Sequence, residues 1–221
     1  MTKLEKMADF FACRVDLYDE HMINEVEGCK EGYEKIAEYV PEGCRKLLDL
    51  GCGTGLELEG ILRKLPDLSV TGIDLCQNML DKLKQKYPSE SIKLICGDYF
   101  TEKFAEGFDC VVSFQTMHHF SKEEKARLYR KIYEALTDNG VYIECDYMVE
   151  TQQEEDLWFS EKERLCKEQG LIKNELYHYD TPCTVENQIK LLETAGFESV
   201  IKVMRIENTT MLVARKGKNE F

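Results

Sequence analysis

The 221-residue chain has no run of lysine or arginine long enough to track a phosphate backbone, and 42 acidic against 29 basic residues leave a net charge of −13. That excess repels a polyanion, so nucleic acid is not an expected partner. No uncharged stretch approaches the ~20 residues that span a bilayer, and the first residues, MTKLEKMADFFACRVDLYDEH, interleave charges among apolar positions. Neither a secretory signal nor a membrane anchor is expected. Paired cysteines are missing too. Ten cysteines are scattered singly, without a CxxC pair or zinc-ligand spacing, and several lie inside apolar runs where a thiol acts as a small hydrophobe. The expectation is a reduced, cytoplasmic chain with no metal site. Internal repeats and low-complexity segments are also absent, so one core domain with decoration is expected from this length.

What is present is concentrated between Leu47 and Asp74 (LLDLGCGTGLELEGILRKLPDLSVTGID). An apolar run, interrupted by one Asp, ends in glycines at alternating positions, Gly51, Gly53 and Gly55, and a helical pattern follows at once. This predicts a buried parallel strand, a tight turn and a helix. Glycines at the carboxyl end of such a strand let a ligand approach backbone where a Cβ would collide with it. A second strand, Val70 to Asp74, closes on a carboxylate 23 residues beyond Gly51, near the spacing at which an acid reaches the hydroxyls of a ribose. Leu56 stands where the dinucleotide fingerprint GxGxxG would place its third glycine, so a pyrophosphate ligand is disfavoured.

The stretch Asp49 to Gly55 (DLGCGTG) resembles the first motif of the class I S-adenosylmethionine-dependent methyltransferases, an acid and an apolar residue before GxGxG. The resemblance covers roughly Lys46 to Tyr147. It implies an α/β fold: a doubly wound, seven-stranded, mostly parallel Rossmann-like sheet with its last strand antiparallel. It also implies S-adenosyl-L-methionine as cofactor and S-adenosyl-L-homocysteine as product. Asp49, Gly51, Cys52, Gly53 and Gly55 would form the cofactor turn, with Asp74, Leu75 and Met79 at the ribose and adenine end. An acid at the position of Asp98, after Gly97, would accept from the adenine amine while Tyr99 packs on the ring. The hairpin pattern of Ser199 to Arg205 and Thr209 to Arg215 agrees with such a sheet independently.

The remaining segments supply the acceptor side. Residues 1–43 read as two helices that either cover a sheet edge or lie over the cofactor as a lid, with Arg14 and Tyr18 reaching the methionine carboxylate or the acceptor. Residues 44–221 form the methyltransferase domain, with a cap insertion at about 150–183. Phe108 to Phe114 reads as a central strand leading to a rim on which Ser113, Phe114 and Gln115 face the methionine part. His118 or His119 could take a proton from the acceptor, or could merely cap the next helix. Ser121 and Glu124 form a capping box, the helix is expected to end at Asn139 and Gly140, and Val141 to Cys145 is the fifth strand. Glu144, Asp146 and Tyr147 are expected to emerge at the same rim, with Glu144 a third candidate base. In the cap insertion, Trp158, Tyr177 and Tyr179 would wall the acceptor pocket beside His178 and Asp180.

The residues support transfer to a small molecule, by a monomer or a homodimer. Two alternatives stay open. Val112 to Asp146 also resembles the carboxy-S-adenosylmethionine synthases of tRNA modification, which need an arginine for a carboxylate; Arg164 and Arg205 are the plausible ones late in the chain, and neither sits in a matching motif. A non-catalytic, nucleoside-binding regulatory domain is the other.

Overall fold

The computed structural model describes residues 3–88, 91–171 and 175–217. Three helices lead the chain, α1 (Met7–Ala12), α2 (Val15–Asn24) and α3 (Cys29–Tyr39). Then come β1 (Lys46–Leu50), α4 (Leu56–Lys64), β2 (Ser69–Asp74), α5 (Gln77–Lys86), β3 (Ile92–Cys96) and β4 (Phe108–Phe114). A 3-10 turn (Met117–His119) precedes α6 (Lys122–Ala135) and β5 (Leu136–Tyr147). The chain closes with α7 (Gln152–Gln169), α8 (Val185–Ala195), β6 (Ser199–Ile206) and β7 (Thr209–Arg215). The seven strands form one sheet in the order β3-β2-β1-β4-β5-β7-β6. β1 pairs parallel with both β2 and β4, whereas β7 runs antiparallel to β5 and β6. This is the doubly wound, mostly parallel architecture expected, with the antiparallel end formed by the terminal hairpin.

Alternation along the strands divides the interior. Leu47 of β1 joins Ile36, Leu58 and Val70 on one face, while Leu48 and Leu50 join Val111, Leu128 and Tyr142 on the other. Strands apolar on both faces need helices on both faces, and α3 and α4 cover one side as α6 and α8 cover the other. Among the described residues no helix is long and apolar enough to cross a membrane.

Two segments differ from expectation. The amino-terminal region forms three helices rather than two. The sixth helix ends at Ala135, so that Asn139 and Gly140, expected to terminate it, lie inside β5. Pairing of Leu136 with Phe108, followed by a bulge in the β4–β5 register, draws these residues into the sheet. Strand pairing thus overrides a local stop signal.

The segment carrying α7 is anchored by one carboxylate. Thr151 and Glu154 form a capping box at the start of α7, and the adjacent Glu155, fully buried, pairs with Lys122 at the start of α6. Glu155 also accepts from the Thr184 and Asn187 amide groups at the start of α8. Burial opposes its ionisation, but Lys122 and these donors outweigh it and hold its pKa at about 2, against an ordinary 4.5. A depressed carboxylate pKa stabilises the fold fully above the unfolded value and loses that contribution as pH falls through the folded one. Glu155→Ala is therefore expected to destabilise the protein by about 3 kcal/mol at pH 7. In thermal melts the gap from wild type should be constant above about pH 5 and shrink as pH falls from about 4.5 toward about 2; a gap that stays constant at low pH would refute the assignment.

Candidate functional site

The glycine turn leaves β1 at the carboxyl edge of the sheet, and each glycine is required differently. Gly51 (φ +69°) presses on Thr116, whose Oγ1 would stand 2.6 Å from an added Cβ. Gly53 (φ +46°) faces open space, where the nearest side chain to an added Cβ is the Tyr18 ring at 3.9 Å. Its N–H donates to Asp74 Oδ2 at 2.9 Å, and the Cys76 N–H donates to Asp74 Oδ1 at 2.8 Å. Burial raises the Asp74 pKa while these two amides pull it back. The carboxylate at the end of β2 is thus pinned beside the turn at the end of β1.

Gly51, Gly53, Asp74, Leu75, Met79, Tyr99, Phe114, Gln115 and Thr116 line a cleft with about 40 Å³ of free volume. It is narrow because Met7 and Phe11 of α1 and Tyr18 of α2 lie across it. α2 is latched in place through Asp19, which accepts from Thr54 Oγ1 in the glycine turn and pairs with Lys86 at 2.6 Å and Lys82 at 3.6 Å, both on α5. Residues of α1 and α2 thus lie across the glycine turn.

A larger pocket of about 1070 Å³ opens beside the cleft, and the two share Phe11, Tyr18, Gln115 and His119 in their walls. Its inner wall holds His118, His119, His178, Asp180 and Tyr147. The 3-10 turn after β4 carries the first two, and Asp146 at the end of β5 organises that turn: its Oδ2 accepts from the N–H groups of Met117 (2.6 Å) and His118 (3.2 Å). Its Oδ1 bonds His118 Nδ1. Burial disfavours a charged His118, but Asp146 more than compensates, so its pKa rises above the ordinary value. His119, buried beside His118, is lowered to about 4. Asp180 is held well below the usual carboxylate range because the neighbouring histidines outweigh its burial. Thr181 donates through N–H and Oγ1 to the His118 carbonyl, and Lys162 donates to that of His119. The cap insertion thereby grips the histidine turn.

Several expected site residues face elsewhere. Glu144 is not at the rim: β5 runs two residues beyond Cys145, which puts Glu144 in the interior, where it accepts from Tyr142 Oη and Gln188 Nε2. Burial pushes its pKa to about 7. Ser113 bonds Tyr142 Oη at 2.7 Å beneath the sheet instead of facing the cleft. Asp49 is fully buried below the turn beside Glu57; burial and the neighbouring Glu57 raise Asp49 well above the carboxylate range, while burial raises Glu57 to about 7 although Asp49 pulls it down. The Cys52 side chain turns down against Gly72, Gly97 packs on Glu102, and Asp98 Oδ1 accepts from the Phe100 N–H in a turn. None of these side chains lines the cleft.

Arg14 lines the larger pocket, its guanidinium donating to the Phe10 carbonyl and to Glu5. Of the four acceptor-wall aromatics, Tyr147 reaches the pocket; Trp158 packs edge-on against Tyr147 and Tyr179 behind it, and Tyr177 donates to Glu175. Met7, Phe10, Phe11 and Thr116 were missed. The α1 aromatics carried a helical pattern, yet nothing in a pattern says which surface the helix covers. A metal site was not expected from linear spacing, but His118, His119 and Asp180 meet from separate segments, with three donor atoms within 4.8 Å of one another.

A family model described as a methyltransferase domain matches residues 47–140. The carboxy-S-adenosyl-L-methionine synthase of Helicobacter pylori is 30% identical over 182 residues, covering 77% of this chain and 74% of the relative. That of Campylobacter lari is 27% identical over 233 residues, covering 96% of each. Among solved structures, a DhpI–SAH complex superposes with a TM-score of 0.71 at 13% identity, covering 96% of each chain, a likeness of fold. With the strand order, the glycine turn and these matches together, the chain belongs to the class I S-adenosylmethionine-dependent methyltransferase family, alongside the carboxy-S-adenosyl-L-methionine synthases.

Proposed function

We propose that this chain moves the methyl group of S-adenosylmethionine to a small acceptor bearing an ionisable oxygen or nitrogen, held in the larger pocket. The observation that carries this is the common wall: Phe11, Tyr18, Gln115 and His119 belong both to the cleft over the glycine turn and to the pocket beside it. The cofactor's chemistry is a methyl on a sulfonium, already joined to a good leaving group, so alignment and exclusion of water matter more than acid–base machinery. The residues fit that group. Gly53 offers backbone with no side chain above it, Asp74 is pinned where two ribose hydroxyls would be met, and Met79, Leu75 and Tyr99 supply apolar surface for a base. Phe11 and Tyr18 shield the junction from solvent, and Gln115, held at φ +49° by bonds to Cys29 and Thr209, fixes its floor.

The second reading is a carboxy-S-adenosylmethionine synthase, favoured by the named relatives. The pocket wall argues against it. Among the described residues Arg14 is the one Lys or Arg of that wall, already committed to Glu5 and the Phe10 carbonyl, while Glu20, Glu25, Glu27, Glu207 and Asp180 stand around the pocket. Arg164 is bound to Glu161 and Glu168 on exposed α7, and Arg205 to Thr210 and Asn208 on β6. An anionic carboxyl donor has poor electrostatic company there.

Gly53→Val should lower affinity for S-adenosylhomocysteine ~10-fold or more, about 1.4 kcal/mol or above, with an unchanged far-UV circular dichroism spectrum; calorimetry reads it, and wild-type affinity would remove the turn from the cofactor seat. With isotopically labelled methyl on the cofactor, mass spectrometry should find S-adenosylhomocysteine and the label on a second molecule. A cofactor that instead gains a carboxyl group would establish the second reading.

A further inference from the structure

The inner wall of the acceptor pocket brings together three lone-pair donors that have nothing between them. Asp180 Oδ1 lies 3.5 Å from His118 Nε2 and 3.4 Å from His119 Nδ1. Both Asp180 Oδ1 and His119 Nδ1 are buried without a hydrogen-bond partner, because the 3.4 Å approach is too poorly aligned to be one. His118 is oriented from behind. Its Nδ1 bonds Asp146, whose other oxygen accepts from two backbone amides, so Nε2 faces Asp180. A carboxylate holding the far nitrogen of an imidazole is the arrangement that fixes tautomer and ring angle in metal-bound histidines. Polar atoms converging in a buried wall need a shared proton or a bound cation between them.

We propose that His118 Nε2, His119 Nδ1 and Asp180 bind one divalent transition-metal ion, of which Zn(II) is the type, at the junction of acceptor pocket and cofactor cleft. The two distances to Asp180 agree with bonds of ~2.1 Å at tetrahedral angles, which set ligand atoms ~3.4 Å apart, and all three donor atoms lie within 4.8 Å of one another. Two imidazoles and one carboxylate suit Zn(II), Mn(II), Fe(II) or Co(II) better than the oxygen-seeking Mg(II) or Ca(II). The open side of the triad faces the pocket. On the methyl-transfer reading above, on which its catalytic use rests, the ion takes the acceptor's oxygen as its fourth ligand. The acceptor hydroxyl loses its proton to solvent, its oxygen lone pair forms the bond to the methyl carbon, and the carbon–sulfur pair returns to sulfur. The acceptor class is then a small molecule with a hydroxyl able to bind a metal, and no side-chain base is required.

The test uses the full chain, stripped with a chelator and titrated with Co(II) and Zn(II). One equivalent of Co(II) should give the visible absorption of a four-coordinate site, displaced by one equivalent of Zn(II), with affinity ~1 μM or tighter. Asp180→Asn should weaken Co(II) binding at least tenfold while S-adenosylhomocysteine binding stays at the wild-type value. Wild-type protein that binds S-adenosylhomocysteine but leaves Co(II) with the pale spectrum of the aqua ion would overturn the metal site and spare the cofactor seat. Stoichiometric Co(II) binding without S-adenosylhomocysteine binding would establish the site and overturn the methyl-transfer reading. If Asp180→Asn does not melt cooperatively, the wild-type Co(II) spectrum alone decides.

Discussion

Everything at the carboxyl edge depends on β1 being paired in parallel on both sides. The chain leaves β1, builds β2 and β3 outward in one direction, then crosses back to lay β4 on the opposite flank, with Leu50 opposite Ile73 on one side and Ser113 on the other. The connections leaving β1 and β4 therefore part company at their carboxyl ends, and a crevice opens between them. The glycine turn occupies one lip and the Gln115–His119 segment the other. Asp146, delivered two strands away by β5, reaches back to hold that second lip through the Met117 and His118 amides.

Inside this frame carboxyl groups of the same kind behave differently according to what meets them. Asp49, Glu57 and Glu144 are buried with too little positive charge, so their pKa values climb, those of Glu57 and Glu144 to about 7. Asp146 and Glu155 are equally inaccessible to solvent, yet a histidine or a lysine and several N–H donors keep them ionised. Burial sets the cost of charge and partners decide whether it is met. The neutral acids lie beneath the sheet edge, whereas the two ionised ones tie elements together around the pocket.

Much of this was legible in the chain itself. The glycine turn, the strand closing on Asp74, the Phe108–Phe114 strand, the Ser121 capping box and the closing hairpin are local signals, each written in a few consecutive residues, and each of these elements stands in the structure as expected. What failed was register and convergence. Two residues' difference in where β5 ends moved Glu144 from rim to interior, since a strand's carboxyl end is set by its neighbours' pairing. Trp158 and Tyr179 read as pocket walls because aromatics cluster there, but Trp158 packs against Tyr147 from behind and Tyr179 packs against Trp158. The His118–His119–Asp180 cluster had no linear spacing to announce it, because a helix of the cap insertion and the loop after it intervene before Asp180 joins the turn after β4.

The Asp19 latch carries a consequence for traffic through the site. One carboxylate on α2 ties the helices lying across the glycine turn at once to Thr54, in that turn, and to two lysines on α5. With the cofactor seated as proposed, its exchange would require that this small knot of opposite charges come undone, while the methyl step would not. Entry and departure would then carry a dependence on ionic strength that the chemistry lacks.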